Sequence, residues 1–352
     1  MIKTLLFTPL SILLFLSPLT AQIGGRSTFT FLKQSPSARL TGLNQSQITL
    51  KDADIAIGYV NPAMYNPLMH NALSFNQDFR IGSIQNGFAA YGYHSDVLKT
   101  TFSSGIQYTN YGKFKQTDEF GNVQGEFKAT EYALYVGASR EINERLSVGM
   151  NLKYVGSQLE SYTSNGIAAD LAGAYVNPKK QFGATILLRN VGIQLKTYVK
   201  NSGNSELLPN DLQIGFSKKL ARAPFRFSIA AHDLLRWQLR YDNPSNTDVT
   251  LLGEEASTPS RLSLGFDNFF RHIRMGGEIM FGKKENVRLR FGYDHQKRRE
   301  MAIQNISSLS GFSFGGGICV SKFRIDYGFA KQHIAGGMNH ISISTNLSEF
   351  KR

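Results

Sequence analysis

Apolar and polar residues alternate with period two along much of this chain. Val287, Leu289, Phe291 and Tyr293 fall on one side, and Arg288, Arg290, Gly292 and Asp294 on the other. The same rhythm runs through residues 225–230, 273–281, 323–330 and 341–347. Successive side chains of an extended backbone point to opposite faces, so the pattern predicts β-strands. A soluble β-sandwich with one wet face and a membrane barrel both answer to it. The segments are about nine to eleven residues long, which is what a tilted strand needs to cross a bilayer. One set of positions is almost uniformly large and apolar, with aromatics near segment ends; the other is Gly, Ser, Ala and charges. A lipid-facing band with aromatic girdles around a crowded or watery lumen fits those two sets better than a sandwich. The expected fold is an all-β, transmembrane outer-membrane β-barrel.

Candidate strands fall at 71–79, 87–94, 99–111, 127–140, 146–160, 165–176, 181–191, 211–219, 225–232, 261–267, 273–282, 287–295, 311–320, 323–331 and 339–348. That is an odd number, and a single-chain barrel with both termini on one side needs an even one, so fourteen antiparallel strands are expected. Long connections (112–126, 192–210, 233–260) alternate with short ones (95–98, 141–145, 177–180, 220–224), the usual division between the outer and periplasmic faces. Residues 22–70 do not alternate. They are rich in Gly, Ser, Asn and Asp, with turn signals at Asn61-Pro62-Ala63 and Asn66-Pro67. This stretch is read as an N-terminal plug with Asn61, Pro62 and Ala63 at its gate, ahead of a barrel over 71–352. Residues 1–21 read as a signal peptide: Lys3, an apolar run from Leu5 to Leu16, then Pro18 and Thr20-Ala21.

Composition narrows the picture further. The single Cys319 excludes a disulfide framework and a Cys-based zinc site. The formal charge is +13. The inward positions are mixed, with Arg226, Arg274, Arg288, Arg290 and Arg324 opposed by Glu278, Asp294 and Asp326, so these groups are expected to pair. The 233–260 connection is acidic, with two arginines against five carboxylates. The positive excess lies at Lys179-Lys180, at Lys218-Lys219 with Arg222, and at Arg271 with Arg274, all read as short connections. The Lys297-Arg298-Arg299 run could lie on either side, depending on the strand count. No basic stripe interleaved with exposed aromatics suggests nucleic acid. The seven histidines show no metal-ligand spacing, no G-x-S-x-G elbow or P-loop occurs, and His232-Asp233 and His295-Asp294 point to opposite faces if they lie on strands. No metal, cofactor or catalytic residue is expected.

Particular stretches carry a family likeness. Gly24-Gly25-Arg26-Ser27-Thr28-Phe29-Thr30-Phe31-Leu32, Asn61-Pro62-Ala63, Tyr111-Gly112-Lys113-Phe114, Leu159-Glu160-Ser161-Tyr162 and Gln194-Leu195-Lys196-Thr197-Tyr198 are one part of it. Ala223-Pro224-Phe225-Arg226-Phe227, Gly311-Phe312-Ser313-Phe314 and the run from His333 to His340 are the other. Together they resemble the PorQ family of type IX secretion system outer-membrane proteins, a group similar in architecture to FadL-like and PorV-related barrels. The resemblance implies a non-enzymatic role: anchoring a PorZ-like surface protein within an attachment complex that includes PorU- and PorV-like members. That complex processes cargo and joins it to anionic lipopolysaccharide. Arg236, Trp237, Arg240 and Tyr241 are the candidate partner contacts, because aromatic and Arg residues clustered on a loop compose interface anchors. Trp237 suits an interfacial girdle equally well. The alternative function is a FadL-like channel or lateral transporter for a hydrophobic or lipopolysaccharide-type molecule. An anchor predicts a lumen filled by plug and ion pairs; a transporter predicts an apolar pocket under the Asn61-Pro62-Ala63 bend.

Overall fold

The structure, a computed structural model, describes residues 27–199, 205–240, 260–282, 285–301, 309–333 and 336–350. The signal segment 1–21, the first residues of the N-terminal stretch and Tyr241 lie outside them.

Fourteen antiparallel strands close into a barrel in which each pairs with its sequence neighbours and β1 pairs with β14. They are β1 (Ala72–Phe79), β2 (Gln85–Ser95), β3 (Thr100–Thr117), β4 (Val123–Glu141), β5 (Leu146–Leu159), β6 (Tyr162–Asn177), β7 (Phe182–Lys196), β8 (Asp211–Lys219), β9 (Phe225–Ala231), β10 (Ile273–Phe281), β11 (Val287–Asp294), β12 (Phe312–Val320), β13 (Phe323–His333) and β14 (Gly336–Asn346). The outward residues of β11, Val287, Leu289 and Phe291, are exposed, whereas Arg288, Arg290 and Asp294 are buried. In water that would be an inside-out protein; in lipid it is the favourable arrangement, because the hydrocarbon meets only apolar side chains and closure leaves no unpaired strand edge.

The surplus candidate strand, 261–267, is instead helix α3 (Arg261–Arg271). Leu262, Leu264 and Phe266 alternate, but Leu262, Phe266, Phe269 and Phe270 also repeat at helical spacing, and a window this short fits both periods. The end signal decides: Ser260 Oγ accepts from Ser263 N–H at 3.2 Å, capping the first turn. Arg271 and Arg274 therefore flank a helix-to-strand junction at the long-loop end, and are not in a short connection. A further helix, α4 (His295–Glu300), follows β11 at that same end and carries Lys297, Arg298 and Arg299. It packs against α3.

The 112–126 connection is also corrected. β3 and β4 continue through it as a projecting hairpin, closed by a tight turn in which Asp118 Oδ1 accepts from Phe120 N (3.0 Å) and Asn122 N (2.8 Å), and Gly121 takes φ +84°. Beyond the membrane both faces of a hairpin meet water, so the alternation that marks a strand disappears. The wall is consequently uneven. β3 to β7 run 14 to 19 residues, while β8 to β12 run only 7 to 9.

Candidate functional site, the filled lumen

Residues 27–71 lie against the inward faces of the strands. Helix α1 (Ala38–Gly42), capped by Ser37 accepting from Leu40 N–H, packs on β11 to β14. Ala38 N–H donates to Ser342 Oγ (2.8 Å), and Ser313 Oγ donates to the Gly42 carbonyl (3.0 Å). Helix α2 (Ile55–Val60), capped by Asp54, buries all six of its residues. Its Tyr59 packs with Phe88 and Tyr135 at ring distances of 5.0 and 4.7 Å and donates to Gln107 Oε1 at 2.5 Å. Polar wall residues meet the segment's backbone, so its carbonyls remain hydrogen-bonded away from bulk water. Asn151 Nδ2, for example, donates to the Tyr59 carbonyl at 2.9 Å.

The closest approaches are made over inward glycines. A Cβ on Gly149 would sit 2.3 Å from the Pro62 carbonyl, and one on Gly328 2.2 Å from the Ala38 carbonyl. Only glycine lets two backbones come this near.

Asn61, Pro62 and Ala63 are all buried. Asn61 Nδ2 donates to the Ile48 carbonyl (2.6 Å) and to Thr185 Oγ1 (2.9 Å), while Ser147 Oγ donates to the Ala63 carbonyl (2.8 Å). The bend is thus a wedge bonded to β5 and β7, and its Ala63 also belongs to an apolar cluster with Ala174 and Leu187 of the wall.

An ion-pair network fills the other side of the lumen. Glu278 receives Arg226 (2.7 Å), Arg290 (2.9 Å) and Arg39 (3.1 Å). The register explains two of these contacts, since Arg226 and Arg290 stand directly across from Glu278 on the flanking strands. Arg290 also reaches Asp326 at 2.6 Å over the intervening β12. Gly317 permits that reach, because a Cβ there would lie 2.0 Å from Asp326 Oδ1. From the segment itself, Arg39 engages Asp52 at 2.6 Å and Asp54 at 3.4 Å. Burial works against ionising Asp52, but Arg39 and Arg288 outweigh it and hold its pKa below the usual carboxylate range. For Asp54 burial prevails and pushes its pKa up, consistent with its longer contact. The expected pairing of inward charges therefore holds for Arg226, Arg288 and Arg290, and for Arg274 with Asp294 at 3.1 Å, whereas Arg324 makes no ion pair with Asp326. The alternation did not reveal the N-terminal partners Arg39 and Asp52, which lie in the segment without periodicity.

At the long-loop end, His232 and Asp233 do meet, with Nδ1 and Oδ2 3.0 Å apart, contrary to the expectation from strand geometry. The strand has ended at Ala231, and Asp233 takes φ +53°, which swings its carboxylate back. His295 contacts Asp267 at 3.1 Å rather than Asp294. Asp211, His232 and Asp233 offer ligand atoms within 4.8 Å of one another. Lys33 (2.6 Å) and Arg236 (3.0 Å) already occupy Asp233, and Gln213 and the Asp233 N–H (both 2.6 Å) occupy Asp211. The cations of this cluster are the chain's own. Burial opposes charge on Asp233, yet the bonds from His232 and Lys33 carry its pKa well below the carboxylate range.

Three of the four candidate partner contacts lie within the described residues. Arg236 turns to Asp233; Trp237 is 60 % exposed and stacks on His272 at 5.1 Å; Arg240 is partly buried.

Cys319 is half-buried beside a recess of about 120 Å³ at the short-turn end, lined also by Asp54, Arg324 and Asn346. A small charged thiol reagent is expected to label this single cysteine from the short-turn side. From the long-loop side the segment packed against the wall is expected to slow the reagent; equal labelling rates from the two sides would contradict occlusion.

No protein-family model matches this chain, and no curated protein matches it in sequence. Its fold is similar to that of the Ralstonia pickettii toluene transporter TbuX, at 12 % identity over 91 % of this chain and 100 % of that one, TM-score 0.52. It is also similar to a Pseudomonas aeruginosa FadL homologue, at 8 % identity over 89 % and 98 %, TM-score 0.51. A third likeness is to the CymD monoaromatic hydrocarbon channel, at 14 % identity over 88 % and 96 %, TM-score 0.50. At such identities the likeness is one of fold. With its closed fourteen-strand wall and apolar exterior, the protein is a FadL-like β-barrel of the bacterial outer membrane.

Proposed function

We propose that the chain is a non-enzymatic anchor: an outer-membrane barrel plugged by its N-terminal segment, whose projecting rim holds a surface protein. What supports this reading is the bonding of the N-terminal segment to the wall: Asn61-Pro62-Ala63 is held by β5 and β7, and the Glu278 network ties the segment to β9, β10 and β11. The assignment of the partner to a type IX attachment complex, with a PorZ-like protein bound and PorU- and PorV-like members nearby, rests on the sequence resemblance. The β3–β4 hairpin is the suited docking element, since Phe120 is 83 % exposed at its tip, above the stacked Phe114 and Phe127. The chain, solubilised gently from its native outer membrane, is expected to bring down a surface protein in stoichiometric amount. Phe120→Ala with Val123→Ala should release that protein while the barrel keeps its heat-modifiable mobility. Unchanged co-purification would count against the hairpin as the docking element.

A second reading is transport of a hydrophobic or lipopolysaccharide-type molecule. The structures of similar fold include a toluene transporter and a monoaromatic hydrocarbon channel. The wall also carries a hollow of about 520 Å³ on its lipid side, lined by Leu134, Leu152, Ile167 and Ile193. It adjoins a bulge where Arg189 and Asn190 of β7 face Asp170 of β6. Behind it Lys153 and Asp170, both fully buried, pair at 2.6 Å. A chain that purifies alone and carries a defined fatty acid or glycolipid would favour this reading over the anchor.

A further inference from the structure

Helix α3 is built the wrong way round for a water-facing helix. Asn268 is buried and Asp267 and Arg271 are nearly so, and all three are held by the protein. Asn268 donates to the Trp237 carbonyl (2.6 Å) and accepts from Leu239 N–H (3.0 Å), while Asp267 receives Arg271 (2.8 Å) and Arg299 (2.6 Å). The opposite face presents Leu262, Phe266, Phe269 and Phe270, exposed by 77, 64, 46 and 42 %. Such a contiguous apolar face marks a surface that is covered in use.

Two observations say what covers it. First, the face continues the lipid-facing wall. Phe270 lies edge-on to His295, which bonds the Tyr293 hydroxyl at 2.9 Å, and Tyr293 packs on Phe312 at 5.0 Å. Tyr293 and Phe312 end β11 and begin β12 on the outward side, where a barrel carries its aromatic girdle. Second, the wall below α3 is low. A seven-residue strand such as β9, rising about 3.3 Å per residue and tilted about 40°, covers only about 18 Å of the membrane normal, against an apolar band about 25 Å tall.

We propose that α3 is a membrane-surface helix: it lies in the outer-leaflet interface with Leu262, Phe266, Phe269 and Phe270 among lipid chains, and completes the barrel wall where the strands fall short. Trp237, bonded to α3 through Asn268 and itself 60 % exposed, belongs to this lipid-facing patch rather than to the partner-binding rim. The placement is independent of which function the barrel serves.

Trp237 is the only tryptophan, so its emission reports the site directly. The purified full chain would be placed in phosphatidylcholine vesicles brominated either near the headgroup or near the chain ends. Bromines near the headgroup are expected to remove most of the Trp237 emission and those near the chain ends much less, with aqueous iodide quenching weakly. Strong quenching by iodide and none by either bromolipid would overturn the proposal and leave the face to a protein partner. Phe266→Ser with Phe269→Ser should shift the Trp237 emission to the red and raise iodide quenching in a barrel that still shows heat-modifiable mobility. An unshifted spectrum in such a folded barrel would overturn the role assigned to those side chains.

Discussion

Replacing Glu278 with glutamine is expected to destabilise the barrel by about 3–5 kcal/mol, the range found when one partner of a buried ion pair is removed. The variant keeps the shape of the side chain and loses the charge that Arg39, Arg226 and Arg290 share. Arg39 and Arg290 are at most 1 % exposed at their side chains, so neither can recover hydration without moving the N-terminal segment. Arg39 retains Asp52 and Asp54, and Arg290 retains Asp326, which favours the lower part of that range. The exposed Lys113–Glu126 pair is the control: its removal should cost no more than about 1 kcal/mol, because water solvates both groups when the contact is lost. Urea unfolding in vesicles measures both. A Glu278→Gln midpoint no further displaced than that of the control would show that the network does not hold the segment.

The second large effect is expected at the glycines under the segment. Gly149→Val with Gly328→Val should drive residues 27–70 off the wall and open an ion path, since each new Cβ would stand within 2.3 Å of a segment carbonyl. Backbone on both sides leaves no flexible chain end to yield, so the overpacking cost of about 1–3 kcal/mol per site falls on the seating of the segment. The strands themselves should tolerate valine, which suits a pleated, half-buried surface. Planar-bilayer conductance and protease sensitivity of the segment are the measurements. Gly316→Val is the control, because its Cβ would meet nothing closer than 3.8 Å. A double variant as silent and as protease-resistant as this control would contradict a segment-sealed lumen.

These effects were unequally visible in the sequence. Arg226, Glu278, Arg290 and Asp326 were legible as inward charges, because period-two alternation assigns each to a face and neighbouring strands place opposite signs within reach. Arg39 and Asp52 were not, since a segment without regular structure carries no period that says where its side chains point. Helix α3 failed for a related reason: Leu262, Leu264 and Phe266 satisfy period two, and only the Ser260 cap and the later Phe269 and Phe270 distinguish the helix. His232 and Asp233 meet because the strand ends at Ala231 and Asp233 takes a positive φ, a conformation that no pattern of apolar residues announces.

By itself the sequence determined the barrel. A lipid solvent admits only apolar outward residues and a chain whose backbone groups are all paired, and those demands are local enough to be written residue by residue along each strand. Tertiary structure decided what the barrel contains and where its walls stop: the seating of residues 27–71 over inward glycines, the joining of Arg39 to Glu278 across the lumen, and the outward turn of the apolar face of α3. Each depends on contacts between residues dozens to hundreds of positions apart, whose distance is set by strand order and closure rather than by any local period.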